Sequence, residues 1–450
     1  MKQIIKAHHN NTTSSSYINM VNMWQLTKLS DVAKLTSGGT PLATKKEYYE
    51  NGTIPWLVIG DLTDSFVECS EKYITEIALK ESNAKLLPIG TLLIAMYGSI
   101  GKLGITKIEC ATNQAIASII ELYGIDKFFL FYLFLYKRPF LMQLGKGGTQ
   151  KNISLAVLNS LEIPLPPLAE QGRIVAKIEE LFAGIDAGVE NLKSVKNQIA
   201  LYRQSVLKSA FDGTLYKTTE WNFTSIGTVC DINPKTVLPD FSDDSIVSFL
   251  PMPTVEAETG AFSPETVEYK KVKKGYTKFQ NNDVLFAKIT PCMENGKSCV
   301  VRDLIQGVGF GSTEFHVLRC HAGMLPEYVF YFVVQKVFRS KAIPFMTGAV
   351  GQKRVPADYL RDCEIPVPTL AEQERIVAEI ESRFERADAL ETAVDRALND
   401  AEKLKQAVLK KAFSGELVPQ NPDDEPASVL LDRIRAARAS ELPAKKGKRK

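Results

Sequence analysis

One stretch of the chain occurs twice, and this repeat constrains the fold more than any other feature. The first copy, residues 161–215, begins LEIPLPPLAEQGRIVAKI, and the second, residues 363–417, begins CEIPVPTLAEQERIVAEI. The copies align without a gap, and roughly half of their positions are identical. Their offset of about 200 residues is far longer than a solenoid repeat of roughly 20–50 residues. The sequence therefore predicts two tandem, related halves.

Each copy of the repeat carries the start and stop signals of one long helix. Prolines precede both helices (PLPP in the first copy, PVP in the second), and proline suits an extended segment that leads into a helix. Thr369 and Glu372 have the spacing of a capping box at the start of the second helix. Gly213 and Gly415 follow the last apolar residues, where a left-handed C-terminal cap is favoured.

Apolar residues between these signals recur at alternating spacings of four and three, which is the a/d pattern of a coiled coil. Only Gly188 and Arg383 interrupt it. An amphipathic helix on a globular core would instead drift towards a period of about 3.6 residues. We therefore predict a coiled coil. Its predicted interface residues are Ile174, Ile178, Leu181, Ile185, Leu192, Val195, Ile199, Tyr202 and Val206 in the first helix, and Ile376, Ile380, Leu390, Val394, Leu404 and Val408 in the second.

The order of the elements constrains how the helices run. The first helix ends a few residues before Trp221, where a second variable region begins, and the second helix leaves from that same region. If the helices pack on each other they must run antiparallel, and the tail after Leu417 returns to the first region. About 40 residues at ~1.5 Å each give a rod of roughly 60 Å. We expect two related domains separated by this spacer, with a pseudo-two-fold axis.

The regions outside the helices follow one plan with two different sequences. Each opens with a tryptophan, continues with strand-like runs and an apolar helix, and ends in a Gln-Lys loop. Gly101-Lys102 in the first region corresponds to Gly296-Lys297 in the second. Strand runs interleaved with helices predict a mixed α/β or α+β fold. The predicted domains are residues 24–162 and 221–362, and the predicted spacer helices are residues 163–215 and 363–417.

Composition narrows the class of protein. A chain of 450 residues has room for two or three domains, and its formal net charge of +3 does not by itself indicate nucleic acid. The seven cysteines lack C-x-x-C spacing, which favours reduced cytoplasmic thiols over zinc or disulfides. No apolar run approaches the roughly 18 residues of a membrane span. Residues 1–23 are expected to be a disordered polar leader. Residues 418–450 are expected to form a tail with a short helix and a basic end (KKGKRK).

Signatures of catalysis are absent from the sequence. The nearest match to a phosphate-binding loop, NGKS at residues 295–298, has Pro291 where glycine is required. The sequence has no hydrolase or zinc-protease motif and no Asp/Asn-Pro-Pro-Tyr/Phe loop of an adenine methyltransferase. His316 and His321 are expected to be structural. We therefore expect no catalytic residue, no metal site and no bound cofactor in this chain.

The doubled I-P-[LV]-P-x-L-A-E-Q-x-R-I-V segment, the Gln-Lys loops and the A-F-x-G-x-L helix ends resemble the specificity (S) subunits of Type I restriction–modification enzymes. The resemblance covers nearly the whole chain after residue 23. It implies two target-recognition domains, each reading one half of a bipartite, asymmetric DNA site, on helices that set the spacing and dock the partners. The implied partners are double-stranded DNA, two modification (methyltransferase) subunits and restriction (translocase/nuclease) subunits. S-adenosylmethionine, ATP and Mg are expected on those partner subunits.

Candidate DNA-binding residues lie in turns where glycine lets the backbone approach DNA, where lysine or arginine neutralises phosphate, or where polar side chains reach base edges. They are Lys102, Asn113, Gln114, Gln150 and Lys151 in the first region, and Lys297, Thr313, Glu314, Gln352, Lys353 and Arg354 in the second. Each is about as well explained as a structural turn residue. The alternative to a specificity subunit is a two-headed scaffold, or a solitary DNA-binding protein without restriction partners.

Overall fold

The two copies of the repeat form two helices of 44 residues each, Leu168–Phe211 and Leu370–Phe413. Contacts divide the chain into two units, residues 1–190 with 398–450, and residues 191–397. Each unit therefore combines one variable region with parts of both long helices. The computed structural model describes residues 23–146, 151–216, 221–349 and 351–441.

The strands are short and rich in β-branched and aromatic residues, which suit a pleated, half-buried surface. In the first unit they are β1 (Gln25–Lys28), β2 (Ala33–Ser37), β3 (Ile54–Leu57), β4 (Ser65–Val67), β5 (Tyr73–Ile74), β6 (Leu92–Ala95), β7 (Leu103–Thr106), β8 (Ala111–Thr112), β9 (Ile116–Leu122) and β10 (Glu162–Leu165). In the second they are β11 (Asn222–Ser225), β12 (Cys230–Ile232), β13 (Ile246–Leu250), β14 (Glu265–Glu268), β15 (Thr277–Gln280), β16 (Val284–Ala287), β17 (Ser298–Val300), β18 (Val308–Gly311), β19 (Phe315–Cys320) and β20 (Glu364–Val367).

The helices of the described residues include both long spacers and several single turns. In chain order they are α1 (Leu29–Val32), α2 (Glu76–Glu81), α3 (Lys127–Leu144), α4 (Leu155–Asn159), α5 (Leu168–Phe211), α6 (Ile226–Val229), α7 (Tyr269–Val272), α8 (Pro326–Val334), α9 (Lys336–Ala342), α10 (Ala357–Asp362), α11 (Leu370–Phe413) and α12 (Ala427–Glu441).

Both units share most of their strand order, but β4 of the first unit and β15 of the second have no counterpart. The first has sheets in the orders β2-β9-β6-β7-β4 and β5-β3-β8, with β1 paired to β10. The second has β12-β19-β16-β17 and β14-β13-β18-β15, with β11 paired to β20. β3 runs parallel to β8, as β13 does to β18, and the pairs β6–β7 and β16–β17 are antiparallel. This repetition confirms the prediction of one mixed α/β fold that occurs twice.

An apolar helix packs on the sheet that contains β6 and β7 in the first unit and on the sheet that contains β16 and β17 in the second. In the first unit Phe129 and Phe134 of α3 are fully buried in the core formed with β6 and β7. Aromatic side chains supply the largest apolar areas that a core of this kind removes from water. Asp126 starts this helix, because its carboxylate accepts hydrogen bonds from the N–H groups of Phe128 and Phe129 at 2.8 and 2.9 Å. Tyr328 of α8 occupies the corresponding core of the second unit.

The long helices run antiparallel within the units. In the second unit Arg203 of α5 pairs with Asp388 of α11 at 2.6 Å, and Lys196 pairs with Asp395 at 2.8 Å. Residue numbers therefore rise along one helix as they fall along the other. In the first unit α5 and α11 share a core with the first variable region. The predicted antiparallel pairing of the helices is confirmed.

The predicted apolar seam is only partly buried. Its buried residues are Ile174, Ile178, Ile199, Val206, Ile376, Ile380, Val394 and Val408, and its half-buried residues are Leu181, Ile185, Leu192 and Val195. The remaining predicted residues, Tyr202, Leu390 and Leu404, are instead 43%, 50% and 53% exposed.

Drift of the helical stripe explains the exposure of two of these residues. In a straight helix the contact position moves by about 20° per heptad relative to a strict seven-residue repeat, so the contact passes to the next residue along. Arg203 follows Tyr202, and its guanidinium lies 5.5 Å from the ring centroid of Phe384. Lys405 follows Leu404, and its ammonium lies 5.3 Å from the ring centroid of Phe182. Cation–π contacts therefore stand where the sequence predicted apolar ones.

The ends of the long helices follow the predicted signals with one difference. Gly213 and Gly415 have positive φ values of 79° and 78°, as expected for left-handed caps. At the start of α11, Glu372 accepts from the Thr369 N–H at 2.9 Å. The Thr369 hydroxyl donates to the same carboxylate at 2.8 Å instead of accepting from the helix, so only half of the predicted capping box forms.

The tail packs on the first unit. Leu430 and Leu431 of α12 are buried in its core, and the Arg173 guanidinium binds the Asp424 carboxylate at 2.5 Å. The return of the tail to the first region is therefore as predicted, and the predicted short helix is α12. The leader, apart from Met23, and the basic end lie outside the described residues.

Candidate functional site

Three loops of the first variable region meet through backbone hydrogen bonds. In the loop between β6 and β7, the Met96 N–H donates to the Ala115 carbonyl at 2.8 Å, and the Met96 carbonyl accepts from the Ile153 N–H at 2.9 Å. The Gly98 N–H donates to the Lys151 carbonyl at 3.2 Å. The β6–β7 loop is therefore joined to the turn before β9 and to the loop before α4. These loops carry the candidates Lys102, Asn113, Gln114 and Lys151.

The same three hydrogen bonds recur in the second variable region. The Lys288 N–H donates to the Glu314 carbonyl at 2.9 Å, and the Lys288 carbonyl accepts from the Val355 N–H at 2.9 Å. The Thr290 N–H donates to the Lys353 carbonyl at 2.9 Å. Candidates far apart in the sequence are thus brought together in each unit. Gln150 lies outside the described residues.

The two sets of loops present different side chains on the same backbone arrangement. Gln114 precedes the bonded Ala115 in the first unit, and Thr313 precedes the bonded Glu314 in the second; both Gln114 and Thr313 are exposed. The remaining exposed candidates are Lys151, Gln352 and Lys353, whereas Lys102 is half-buried. The first loops also border a polar groove of about 570 Å³, which Thr40 and Gln114 help to line. Each unit therefore offers polar and basic side chains on one loop surface.

Asn113 stabilises its own turn, because its side-chain oxygen accepts from the Ala115 N–H at 3.1 Å. Lys297 is half-buried and bonds to a distant segment instead, because its ammonium donates to the Met252 carbonyl at 3.0 Å. Ser312, which the sequence prediction missed, takes the place of Asn113 in the second unit, because its hydroxyl accepts from the Glu314 N–H at 3.2 Å.

Glu314 and Arg354 pair with each other. The Arg354 guanidinium donates to both carboxylate oxygens of Glu314, at 2.9 and 2.8 Å. These hydrogen bonds lower the pKa of the Glu314 carboxyl below its ordinary value. Burial lowers the pKa of the neighbouring Lys288 ammonium. This ion pair joins the turn before β19 to the loop before α10.

The two histidines have local partners, as a structural role requires. The His316 Nε2 lies 2.8 Å from the Val355 carbonyl, and burial lowers the pKa of its imidazole, which favours the neutral ring. The His321 Nδ1 lies 3.1 Å from the Thr228 carbonyl. Across the residues described, no group of three or more His, Cys, Asp or Glu side chains is placed to hold a metal.

A buried glutamine anchors the first long helix to its variable region, and the sequence prediction missed it. The Gln171 amide nitrogen donates to the carbonyls of Pro166 at 3.0 Å and Gly124 at 3.3 Å. Its oxygen accepts from the Asp126 N–H at 2.7 Å. One side chain thus bonds the start of α5 to the turn that leads into α3.

Gln373 makes the equivalent contacts in the second unit. Its amide nitrogen donates to the carbonyls of Pro368 and Gly323, both at 3.0 Å, and its oxygen accepts from the Leu325 N–H at 2.9 Å. Gln171 and Gln373 are both fully buried. The signal that would have found them is the identical Ala-Glu-Gln triplet in both copies of the repeat.

Two related mixed α/β units, each with one converging loop surface and a buried glutamine that anchors one long helix, define a protein built from two repeated domains. The sequence profile described as "Type I restriction modification DNA specificity domain" matches residues 22–197 and 218–399. The chain therefore belongs to that family, and the profile matches each half once.

Individual proteins agree with this assignment. The chain is 35% identical over 347 residues to the Type I restriction enzyme EcoAI specificity subunit of Escherichia coli, covering 66% of this chain and 58% of that one. It is 32% identical over 340 residues to the EcoEI specificity subunit of Escherichia coli, covering 64% and 56%. The matches thus span less than two thirds of either relative.

A solved structure supports the fold. A chain from a structural study of complex assembly and conformational transition of the type I R-M system superposes with a TM-score of 0.66. The superposition covers 87% of this chain and 98% of that one at 20% sequence identity. Separately, no helix within the described part of the chain is long and apolar enough to cross a membrane.

Proposed function

We propose that this chain is the DNA sequence-specificity subunit of a Type I restriction–modification complex. In this proposal residues 24–162 and 221–362 are target-recognition domains, and each reads one half of a bipartite, asymmetric site in double-stranded DNA. The observation that carries the proposal is the three-loop surface, which occurs once in each unit with the same backbone bonds and with different exposed side chains. A protein that reads two unlike half-sites needs such a pair of surfaces.

The chemistry of the exposed side chains supports DNA as the ligand. Lys151 and Lys353 are exposed at equivalent positions of the two surfaces, where an ammonium neutralises backbone phosphate. The exposed Gln114 amide offers a donor and an acceptor, which is the pairing that reads an adenine edge in the major groove. Gln114 lies in the first unit and Thr313 in the second, so the two surfaces would read different bases.

Catalysis belongs to the partners in this proposal. We infer that two modification subunits bring S-adenosylmethionine, and that restriction subunits bring ATP, Mg and the nuclease, in the cytoplasm. The long helices dock the modification subunits and set the gap between the half-sites. The chain alone then has no methyltransferase, nuclease or ATPase activity.

The experiment is to express the chain with its candidate modification subunit and to map methylated adenines in the DNA. We expect one bipartite motif with unequal halves, and no methylation by the pure chain. Replacing residues 24–162 with another such domain should change one half of the motif and leave the other intact. A motif that changed in both halves, or turnover by the pure chain, would contradict the proposal. Failure to associate with any modification subunit would favour the scaffold or a solitary DNA-binding protein.

A further inference from the structure

An arginine of α3 binds the turn that carries Gly101 and Lys102. The Arg138 Nε donates to the Gly101 carbonyl at 2.9 Å, and its two terminal nitrogens bind the Asp64 carboxylate at 3.0 and 2.5 Å. Asp64 also bonds to the strand after the turn: its N–H donates to the Leu103 carbonyl, and its carboxylate accepts from the Leu103 N–H, both at 2.9 Å. One guanidinium therefore joins the turn to a second loop.

An arginine of α9 makes similar contacts in the second unit, but it bonds to the Glu294 carbonyl and not to the glycine of the turn. The Arg339 guanidinium donates to the Glu294 carbonyl and to the Glu258 carboxylate. The Glu258 N–H donates to the Gly296 carbonyl at 3.0 Å. Arg339 is only 4% exposed, so these groups satisfy a guanidinium that water barely reaches. We call each set an arginine clasp: Arg138 with Asp64 and Gly101, and Arg339 with Glu258 and Glu294.

Both clasps hold their acidic residue in an unusual backbone conformation. Asp64 has a φ of 59° and Glu258 a φ of 64°, in the left-handed region that few residues other than glycine adopt. Such residues persist only where the surroundings fix them, and they concentrate at functional sites. Aspartate fills this place in one unit and glutamate in the other. The two units therefore share an arginine paired with a left-handed acidic residue beside the turn, although the backbone groups that these residues bind differ.

The arginines also pack directly against the turns. A Cβ added at Gly101 would lie 3.1 Å from the Arg138 Cγ, and one added at Gly296 would lie 3.0 Å from the Arg339 Cζ. Both glycines have positive φ values, 81° and 76°. An added methyl group would therefore displace the aliphatic stem of Arg138 at the first turn and the guanidinium of Arg339 at the second.

We propose that Arg138 and Arg339 are positioning residues for DNA recognition, each fixing the Gly-Lys turn of its own domain without contacting DNA. This inference rests on the proposed function. In the second unit the clasp also reaches a spacer helix, because the Gln204 amide of α5 donates to the Glu258 carboxylate at 3.2 Å. The β6–β7 and β16–β17 loops then enter recognition through their backbone geometry, which does not require the Lys297 ammonium that bonds to the Met252 carbonyl.

The test uses the full chain with its modification subunit and S-adenosylmethionine. Methylation rates are compared on duplexes with the intact site and with substitutions in one half or the other. We expect Arg339→Ala to lower discrimination between intact and substituted DNA roughly ten- to a hundredfold at the half-site that residues 221–362 read. This range corresponds to the loss of one base contact. Discrimination at the other half-site should be unchanged, which also shows that the variant folds and assembles. Arg138→Ala should give the reverse pattern.

Two further variants separate positioning from general stability. Gly296→Ala retains the arginine but crowds its guanidinium, because the added Cβ would lie 3.0 Å from the Arg339 Cζ, so it should give the same loss at the same half-site as Arg339→Ala. Arg302→Ala removes an exposed arginine of the same unit that pairs with Glu327, and it should leave discrimination at both half-sites unchanged. Equal loss at both half-sites, or no loss at either, would overturn the proposal.

Hydrogen exchange of the full chain separates failure of this inference from failure of the proposed function. Arg339→Ala should speed amide exchange in residues 288–297 at least tenfold and leave residues 96–102 unchanged. If the complex with the parent sequence recognised no bipartite site, the proposed function would fail. The exchange result would still decide whether Arg339 positions the turn. Unchanged exchange in residues 288–297 would overturn the positioning role by itself.

Discussion

Gln373 offers a direct test of how a variable region is anchored to the helix that follows it. Its side chain makes three hydrogen bonds, to the Pro368 and Gly323 carbonyls and from the Leu325 N–H. A buried hydrogen bond contributes about 1 kcal/mol net, and a partner left unpaired costs about 1–3 kcal/mol. Because Gly323 is exposed, water can hydrogen-bond to its carbonyl in the variant and so recover part of the lost stability. We expect Gln373→Ala to lower the free energy of unfolding by about 2–4 kcal/mol, measured by urea unfolding of the purified chain.

Gln373→Glu sharpens the test through pH. The carboxylate of this variant would keep an acceptor for the Leu325 N–H but would face two carbonyl oxygens, so the neutral form is favoured and the folded-state pKa is raised. When the pKa of a carboxyl is higher in the folded state than in the unfolded state, its full contribution to stability is present below the unfolded-state pKa, near 4.3. That contribution is lost as pH rises through the folded-state pKa. The variant should therefore approach the parent at about pH 4.5 and fall furthest below it at about pH 8.

The control is Gln198→Ala, an exposed glutamine on α5, which should change stability by less than about 0.5 kcal/mol. If Gln373→Ala cost no more than this control, the three hydrogen bonds would not anchor the helix. If Gln373→Glu showed no more pH dependence than the parent, the amide would not face the two carbonyls.

Three other perturbations have defined outcomes. Deleting residues 189–195 and 391–397 together removes one heptad from each helix, which shortens it by about 10 Å at ~1.5 Å per residue. The gap between the two halves of the methylated motif should then shrink by up to about three base pairs at ~3.4 Å each. An unchanged gap in an active variant would show that the helices do not set this gap. Cys230 and Cys320 are opposite one another in β12 and β19, with their sulfur atoms 3.7 Å apart. The oxidant diamide should therefore join them in a disulfide, which proteolysis with mass spectrometry would detect. Failure to form this disulfide would contradict the strand register. Burial raises the pKa of the Glu170 carboxyl, so the parent protein loses stability as pH rises through that pKa. Glu170→Gln should therefore exceed the parent in free energy of unfolding by more at about pH 8 than at about pH 5, measured by urea unfolding.

The sequence predicted the features that repeat. A gap-free self-match made the two long helices, their antiparallel direction and the shared α/β plan predictable, because each follows from periodicity or from the order of elements. Gly213 and Gly415 marked the helix ends correctly, since a left-handed cap needs glycine for a reason visible in any sequence. The short helix in the tail was also predicted from the sequence.

Contacts between distant residues were not predictable. Arg138 and Asp64 are bonded across 74 positions, and no spacing rule links an arginine on a helix to an acid in a loop. The second unit hides the equivalence further, because its apolar helix breaks at Gln335 between α8 and α9. The heptad pattern was wrong at Tyr202 although Val206, the next residue of the seam, is buried, and only the positions of the rings show that Arg203 makes the contact at this point.

The distribution of these contacts explains how two recognition surfaces can differ so much on one fold. The three loops of each unit are joined by backbone groups, such as the Gly98 N–H to the Lys151 carbonyl and the Thr290 N–H to the Lys353 carbonyl. Backbone bonds do not depend on side-chain identity, so exposed residues on these loops are replaceable without loss of the loop geometry. Buried side chains such as Gln373 anchor the units from below these loops, and the Glu314–Arg354 ion pair joins two loops of the second unit directly. Under the proposed function, specificity would therefore change by substitution of exposed loop residues, whereas the buried anchors would be retained in each half.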